Sequence, residues 1–437
     1  MNLLEKLKMR FSRQEGLEDL LSQSSNWDGY KRENAVRRLG MLGNPIALPD
    51  LFLRVNDWVP QVRSAAREAI LRIAQAQNAE AFVHSLPQLY HLNVCGRDDH
   101  SEFIETIESF LLNDDNKQCL VGGLQDDDAL VVRHCISLII DHNLLSASEV
   151  VNKGLAHPDV IVRFKAAGFL RKLEMEQLNI ALQVALNDSF MPIRREAFQL
   201  AIRNQENPSL LAKQYLFDRH PSIREIAIKF LKSNDLNVEV DYIGELSSQQ
   251  VSKRRIAIWG IGALRVSEEI GKVQELLNDQ FPSVRKQALT TLFQLSGEKS
   301  ERDLFDGLID ESSSVCKEAA RLIPKIGLAL GADQLLQIVK RSSHYHTLAS
   351  CVGLARRINK WERIIFIASL YNNKYEQYLT ENELNGAMRL WDIEFNRSAA
   401  QPTPDQLTRL TELYHSTDML KRNKSMSFTL KSYGVEL

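Results

Sequence analysis

Apolar side chains recur along much of the chain with the period of an α-helix. In one segment they occupy Val62, Ala65, Ala66, Ala69, Ile70 and Ile73. Side chains with this spacing lie on one face, so the segment is predicted to form an amphipathic helix that buries a broad apolar stripe. A second amphipathic segment precedes such helices, for example at residues 207–217 and 268–278. The pattern therefore predicts helices that come in pairs.

A short motif recurs in register with these pairs. It consists of an acidic residue, a Val or Ile five positions later, an Arg immediately after that, and an Ala four positions after the Val or Ile. Full matches are Asp57/Val62/Arg63/Ala66, Asp188/Ile193/Arg194/Ala197, Asp218/Ile223/Arg224/Ala227 and Asp279/Val284/Arg285/Ala288. Weaker matches centre on Arg32, Arg133, Arg163 and Arg254, and in a further unit Cys316 stands where the Arg is expected. Successive motifs are 30 or 31 residues apart, except for one interval of 70 residues.

The long interval is predicted to contain a degenerate unit that uses Phe103, Ile107 and Leu111, preceded by an inserted loop at 93–100. Another faded unit, 346–354, follows one period after Cys316. Prolines fall in the joint between the two helices or in the first turn of the second helix, where a missing N–H is tolerated. These are Pro60, Pro158, Pro192, Pro221 and Pro282. A lone hairpin of about 30 residues cannot bury its apolar stripe, so we expect about eleven hairpins that stack and cover one another.

The motif and its period resemble the HEAT-repeat family, and in particular the bacterial short-period repeats that resemble phycobilisome lyases. The resemblance covers roughly residues 28 to 354. It implies an all-α, right-handed solenoid in which the Asp and Arg of successive hairpins form a structural ladder. The ladder residues would be Asp57, Arg63, Asp188, Arg194, Asp218, Arg224, Asp279 and Arg285. Cys316 departs from the pattern, so the ladder is expected to weaken there.

The two ends differ from the repeats. We predict a solenoid at 1–355, with a capping helix within 12–23, and a divergent helical cap and tail at 356–437. Aromatic residues become frequent after the repeats, at Trp361, Phe366, Tyr371, Tyr375, Tyr378, Trp391 and Phe395. They indicate either a cover for the last hairpin or a docking surface. Thr403, Pro404 and Gln406 have the pattern of a helix start with a capping box, and the polar, basic segment 421–437 is expected to be loosely held.

Composition narrows the class of protein. The formal net charge of −2 provides no overall attraction to nucleic acid or to an anionic membrane. No stretch is long and apolar enough to span a bilayer, and the first residues lack the features of a signal peptide. Five cysteines, odd in number and without a CxxC pair, favour reduced thiols and a cytoplasmic location.

A search for catalytic chemistry finds no motif for a phosphate-binding loop, a dinucleotide fold, a serine nucleophile or a zinc protease. His344 with His346, and Asp98 with His100, could ligate a metal, but neither pair is joined by further ligands, and exposed loop histidines explain them as well. Cys95 near His100 could act as a nucleophile, but no third group that would orient the pair is evident. We therefore predict no catalytic residue, metal site or cofactor.

The second helices present a row of basic residues. Two positions after the Val or Ile anchor, the side chain should point away from the stack, towards the inner surface of the solenoid if the resemblance holds. From Arg195 onwards this position and the one a turn later are mostly basic. The predicted partner-binding residues are Arg195, Lys229, Arg255, Trp259, Lys286, Lys317 and Arg321. Charge segregated in this way steers an acidic partner to one face, although basic helix faces also serve solubility.

These observations predict a non-catalytic scaffold, adaptor or inhibitor that binds an acidic protein partner on its inner surface. The alternatives are a nucleic-acid-binding protein of the HEAT-like DNA glycosylase type and a lyase that modifies another protein. HEAT-like glycosylases use aromatic and acidic residues, and here no Asp accompanies Trp259 on the basic row. The oligomeric state stays open.

Overall fold

The computed structural model describes residues 16–327, 330–372, 381–395 and 400–436, and these residues form α-helices, short 3-10 turns and loops, with no β-strand among them. The chain divides into two compact units: an N-terminal unit that ends at Pro208 and a C-terminal unit that begins at Ser209. This boundary lies within the repeats. The predicted boundary between residues 355 and 356, where the repeat pattern stops, stays a prediction.

The helices of the N-terminal unit are α1 (Leu17–Ser24), α2 (Gly29–Leu42), α3 (Leu48–Val55), α4 (Pro60–Ile73), α5 (Ala79–His84), α6 (Leu86–His91), α7 (Ser101–Leu112), α8 (Lys117–Gly122), α9 (Ala129–Asp141), α10 (Ala147–Leu155), α11 (Val160–Ala167), α12 (Met175–Ala185) and α13 (Met191–Asn204). Neighbouring second helices pack side by side, as α2 does on α4 and α9 on α11. The unit is therefore a stack of helical hairpins, as the sequence predicted.

The helices of the C-terminal unit are α14 (Pro208–Tyr215), α15 (Pro221–Lys232), α16 (Glu239–Gly244), α17 (Val251–Leu264), α18 (Ile270–Glu275), α19 (Pro282–Ser296), α20 (Glu301–Leu308), α21 (Ser313–Leu322), α22 (Ala332–Lys340), α23 (Tyr345–Ala355), α24 (Lys360–Asn372), α25 (Glu381–Phe395), α26 (Pro404–Ser416), α27 (Asp418–Arg422) and α28 (Lys424–Ser432). The second helices α17, α19, α21 and α23 pack in sequence against one another. Both units thus have the architecture of an α-solenoid.

Helix α4 illustrates how the local sequence produces a repeat. Its buried residues are those of the predicted stripe, Val62, Ala65, Ala66, Ala69, Ile70 and Ile73. Pro60 stands in the first turn, where no N–H is needed for the helical ladder. Pro192, Pro221 and Pro282 have the same place in α13, α15 and α19. The predicted hairpin joints are confirmed.

Small residues set the distance between second helices. A Cβ added to Gly40 of α2 would lie 2.7 Å from the Cβ of Ala69 in α4. That separation is well below a normal carbon–carbon contact, so the two helices pack with their backbones close together. Close packing of this kind is what allows each hairpin to cover the apolar stripe of the next.

The aromatic residues after the repeats form a core. Trp361 of α24 and Trp391 of α25 are almost fully buried, and their ring centres lie 5.2 Å apart. The Trp361 indole donates a hydrogen bond of 2.8 Å to the carbonyl oxygen of Ala400. The docking-surface interpretation is therefore wrong for these two residues. Tyr375 and Tyr378 lie outside the described residues, and so do the side chains of Phe395 and residues 1–15.

The C-terminal helices continue the core of the repeats. One apolar cluster extends from Leu289 of α19 to Leu430 of α28. The predicted capping box is present at the start of α26, where the Thr403 side chain and the Gln406 side chain each bond the other's backbone N–H. Met426 and Leu430 are fully buried, so the prediction of a loosely held tail is wrong for α28. In the described part of the chain, no helix has the length and apolarity to cross a bilayer.

Candidate functional site

Arginines on the second helices contact carboxylates at the start of the following second helix. The closest N–O distances are 2.6 Å for Arg32–Asp57, 2.8 Å for Arg133–Asp159, 2.7 Å for Arg163–Asp188, 3.0 Å for Arg254–Asp279 and 2.8 Å for Arg285–Asp310. In these pairs the guanidinium uses its Nε and Nη2 groups together, which is the bidentate geometry that makes such contacts strong. We call each pair a rung. A rung joins one hairpin to the next.

The rung carboxylate also shapes the joint of its own hairpin. Oδ1 of Asp279 accepts a 2.8 Å hydrogen bond from the N–H of Phe281, two residues on. The backbone oxygen of Asp279 accepts a 2.8 Å bond from Nη1 of Arg285, six residues on. Asp188 makes the same two contacts, with Phe190 and Arg194. One motif therefore closes the joint and connects the hairpins.

The remaining predicted ladder residues have related contacts. Arg63 donates to the backbone oxygen of Asp57 at 3.0 Å, but its carboxylate partner is Asp98, at 3.3 Å. Asp98 belongs to the inserted loop, so the insertion supplies the acid that the repeat lacks at this place. Asp218 accepts a 2.7 Å bond from the N–H of His220. Cys316, which replaces an Arg, contacts the Ser350 hydroxyl at 3.2 Å.

Arg224 makes a different set of contacts. Its Nη1 donates to the Asp218 backbone oxygen at 2.8 Å, but its Nε is buried without a hydrogen-bond partner. The Arg224 Cζ atom lies 3.9 Å from the ring centre of Trp259, which is half-buried. Trp259 also meets the buried Tyr242 edge to face at 6.4 Å. Trp259, which the sequence predicts as the apolar anchor of a binding surface, therefore also packs against the buried guanidinium of Arg224.

The predicted basic residues are exposed. Lys229 on α15, Arg255 on α17, Lys286 on α19 and Lys317 on α21 all face solvent. These helices are consecutive second helices of the C-terminal unit. We give the name second-helix face to the residues two and six positions after the anchor position of each of these helices. It comprises Glu225, Lys229, Arg255, Trp259, Lys286, Thr290, Lys317 and Arg321. Arg195 is exposed in the N-terminal unit.

Part of the second-helix face is neutralised internally. Glu318, which is almost fully buried, forms an ion pair with Arg321 on the same helix. The Thr290 hydroxyl donates to Glu318 at 2.9 Å. Hydrogen bonding from Arg321 holds the pKa of Glu318 below its ordinary value, and the charge of Lys286 adds to this effect. Arg321 is therefore a less available cation than Lys286.

The inserted loop is held by structural contacts. His100 is 3% exposed, and its ring nitrogens lie 3.1 Å from Nη2 of Arg67 and 3.3 Å from Oδ1 of Asn56. The interpretation of His100 as an exposed loop histidine is therefore wrong. Arg97 lies over the Trp58 ring at 3.9 Å and donates to the Asn56 backbone oxygen at 2.9 Å. Burial lowers the pKa of His100, and nearby Arg67 lowers it further.

The other candidates are also separated from one another. Cys95 donates to the His91 backbone oxygen at 3.5 Å, and no contact joins its sulfur to His100 in the described structure. His344 and His346 stack on each other with ring centres 5.0 Å apart, and His346 contacts the Asp310 backbone oxygen at 2.9 Å. In the described part of the chain, no three His, Cys, Asp or Glu side chains are grouped as metal ligands.

Two features were missed from the sequence. Ser248 takes the place of the rung Asp before Arg254, which is why that motif match was weak. Trp27 and Trp58, 31 residues apart, occupy the same position in two successive hairpins, and both are largely exposed. The aligned repeats contain both features. Only the packed structure shows which neighbouring side chains lack a carboxylate and which aromatic side chains remain exposed to solvent.

The fold and the rungs define an all-α protein built from repeated helical hairpins. No protein-family model and no curated protein sequence matches the chain. Among solved structures, it is similar to YibA of Escherichia coli, with 18% identity over 60% of this chain and 97% of that chain and a TM-score of 0.30. It is similar to importin beta, with 12% identity over 93% of this chain and 70% of that chain and a TM-score of 0.39. It is also similar to the complex of CpcE and CpcF of phycocyanin lyase from a Nostoc species, with 13% identity over 63% of this chain and 93% of that chain and a TM-score of 0.22. Similarities at this level assign neither a family nor an activity to the chain.

Proposed function

We propose that the chain is a HEAT-type repeat protein that acts as a non-catalytic scaffold, adaptor or inhibitor and binds an acidic protein partner on the second-helix face of its C-terminal unit. The observation that supports this proposal is uncompensated charge. Lys229, Arg255, Lys286 and Lys317 are exposed, and within the described residues none has a carboxylate at ion-pair distance.

Several other cations of the same unit are paired with acids. Ion pairs of 3.1 Å, 3.1 Å, 3.4 Å and 2.8 Å join Lys213–Asp241, Lys232–Glu239, Lys253–Glu245 and Lys272–Glu269. In each of these four pairs the acid lies on or beside a first helix. Two of these cations, Lys232 and Lys253, lie on second helices, so the first-helix acids neutralise cations of both helices but do not pair with Lys229, Arg255, Lys286 or Lys317. A predominantly basic face on a nearly neutral chain attracts and orients an acidic partner, and repels a basic one.

The HEAT-type assignment is supported by the rungs. In four rungs the motif arginine of one hairpin pairs with the motif acid of the next, at 2.6 Å, 2.7 Å, 3.0 Å and 2.8 Å. A rigid row of hairpins holds the basic side chains at fixed spacings. This surface therefore loses little conformational entropy when a partner with matching acidic residues binds. Arg195, which is exposed in the N-terminal unit, stays a predicted partner-binding residue.

A binding experiment with a labelled decaglutamate peptide tests the proposal. Fluorescence anisotropy would compare the wild type with the double variant Arg255→Glu/Lys286→Glu. The matched control is Lys299→Glu/Arg302→Glu, which makes the same charge change at exposed residues of the first-helix side in the same unit. We expect the first variant to bind at least about tenfold more weakly, and the control to bind within about twofold of the wild type.

The same assay separates the alternatives. If both double variants lose affinity equally, only net charge matters and the second-helix face is the wrong surface. If duplex DNA binds more tightly than the peptide and its affinity falls steeply with salt, the nucleic-acid alternative is favoured. The lyase alternative stays a prediction that requires a different assay.

A further inference from the structure

One rung is incomplete, and its position is defined by two contacts. Ser248 precedes Arg254 by six residues, as Asp279 precedes Arg285. The Ser248 backbone oxygen accepts a 2.6 Å bond from Nη1 of Arg254, and its hydroxyl accepts a 3.4 Å bond from the N–H of Gln250. These are the contacts that Asp279 makes with Arg285 and Phe281. Ser248 therefore replaces a rung Asp, and its short neutral side chain provides no carboxylate.

The arginine that this rung would pair is Arg224. The Arg224 residue is 6% exposed, its Nε has no partner, and its single hydrogen bond within the described structure is the one from Nη1 to Asp218. Burial lowers the pKa of its guanidinium and nearby Arg255 lowers it further, while the charges of Asp218 and Glu225 raise it without forming an ion pair with it. A buried cation without a counter-ion is costly, so this site favours an anion.

The Nε and Nη2 edge of the Arg224 guanidinium is the edge that would bind this anion. The Cζ atom of Arg224 lies over the Trp259 ring, 3.9 Å from its centre. In the complete rungs the carboxylate meets the Nε and Nη2 edge, and it keeps some contact with solvent, since the side chains of Asp279 and Asp310 are 8% and 13% exposed. By analogy with these rungs, a ligand carboxylate is expected to meet the Nε and Nη2 edge of Arg224.

We propose that a carboxylate of an acidic protein partner binds Arg224 at the position left by Ser248, and so completes the rung between α15 and α17. This inference rests on the proposed function, because it names one anchoring contact on the same face. Lys229 and Arg255 would bring the partner to the surface, and Arg224 would select a side chain with two coplanar oxygens. Trp259 would pack against the partner's chain beside the carboxylate.

The test places a carboxylate of the protein itself at the position proposed for the partner's carboxylate. Ser248→Asp places a carboxylate where the partner's carboxylate would bind, Ser248→Asn adds similar volume without charge, and Gln249→Asp adds the same charge at the next, exposed residue. Binding of the labelled decaglutamate peptide would be measured for all three by anisotropy, and their stability by the urea midpoint. We expect Ser248→Asp to raise the midpoint and to weaken binding at least about tenfold, and Gln249→Asp to weaken it no more than about threefold.

The outcomes separate the two proposals. Equal loss of affinity in Ser248→Asp and Gln249→Asp, with continued sensitivity to Arg255→Glu/Lys286→Glu, overturns the anchoring site and leaves the proposed function standing. If Arg255→Glu/Lys286→Glu has no effect either, the proposed function also fails. An unchanged urea midpoint in Ser248→Asp would contradict the geometry of the incomplete rung. A shift of the Arg224 Nε–H resonance on addition of peptide, absent in Ser248→Asp, would support the site directly.

Discussion

Arg32 and Asp57 are 25 residues apart in sequence, and their Nη2 and Oδ1 atoms lie 2.6 Å apart between two packed helices. Their side chains are 9% and 2% exposed. Burial alone would raise the pKa of Asp57, but hydrogen bonds from Arg32 and the Val59 N–H outweigh it and hold the pKa below its ordinary value. The pair is thus a buried ion pair whose members satisfy each other, and it couples the hairpin of α2 to that of α4.

Removing one partner of this rung should destabilise the protein strongly. In Asp57→Ala the Arg32 guanidinium stays buried without its carboxylate, and the Val59 N–H loses its acceptor. We expect a loss of about 3–5 kcal/mol in unfolding free energy, measured by urea denaturation. The control is Glu33→Ala, which removes the exposed pair of Glu33 with Arg37 and should cost less than about 1 kcal/mol. Similar losses in the two variants would contradict a structural role for the rungs.

Stability should depend on acid in a defined direction. The pKa values of Asp57, Asp159 and Asp188 are held below the ordinary range, for Asp159 mainly by the hydrogen bond from Arg133, and for Asp57 and Asp188 by arginine hydrogen bonds that outweigh burial. Groups with depressed folded pKa values contribute stability that is complete above their unfolded pKa of about 3.9 and is lost as the pH falls through the folded value.

We therefore expect the urea midpoint to change little between about pH 7 and pH 5 on account of these groups, and to fall below about pH 4. In Asp57→Ala the urea midpoint should fall less steeply as the pH is lowered, since one of the carboxylates that titrate is absent. A midpoint that does not change down to about pH 3 would show that the rung acids are not ionised partners in the folded state.

The approach of α2 to α4 should be sensitive to a single methyl group. Gly40→Ala would place a Cβ 2.8 Å from the Cα of Ala69, a backbone atom that cannot move without shifting the helix. We expect a loss of about 1–3 kcal/mol in unfolding free energy. Gly353→Ala is the matched control, because a Cβ at Gly353 in helix α23 meets nothing within 4 Å, and Ala there should be neutral or stabilising by up to about 1 kcal/mol. The reverse order of stabilities would contradict the packing described for α2 and α4.

The five cysteines should differ in reactivity, and none is in a disulfide. Burial raises the pKa of Cys135 and of Cys351 to about 12, and it also raises that of Cys316. A thiol with a raised pKa and no solvent contact reacts slowly, because the thiolate is the nucleophile. With Ellman's reagent near pH 8, Cys95 and Cys119, which are partly exposed, should react first. A fast phase that persists in Cys95→Ser/Cys119→Ser would show that a buried thiol is accessible.

Much of the fold could be predicted because its determinants are local or strictly periodic. The stripe of α4, the prolines of the joints and the capping box at Thr403 depend on residues within a few positions of one another, and the structure has them as predicted. The spacing between a rung Arg and its Asp is 25 residues in four of the five rungs and 26 in Arg133–Asp159, so one correct alignment predicts several contacts. The exposure of the basic positions follows from the same helical period.

Departures from the repeat could not be predicted, because they depend on what neighbouring hairpins leave unfilled. The alignment shows Ser248 where an Asp is expected, but only packing shows that Arg224 remains buried and turns to Trp259. The sequence of the inserted loop is polar and suggests an exposed segment. His100 is nevertheless buried, because Arg67 and Asn56 lie within hydrogen-bond distance of its ring nitrogens. Trp361 and Trp391 could have been surface or core by composition alone.

The sequence by itself determined the helices, their pairing into hairpins and the faces that they bury, since these follow from contacts over one or two helical turns and from a period that repeats. Tertiary structure decided which arginines find a carboxylate, which aromatic residues are covered and where positive charge remains unpaired. Those outcomes depend on side chains that are 25 to 40 residues apart and meet only after the hairpins stack. The physical reason is that a helix is stabilised within its own segment, whereas the environment of a side chain is set by its neighbours in space.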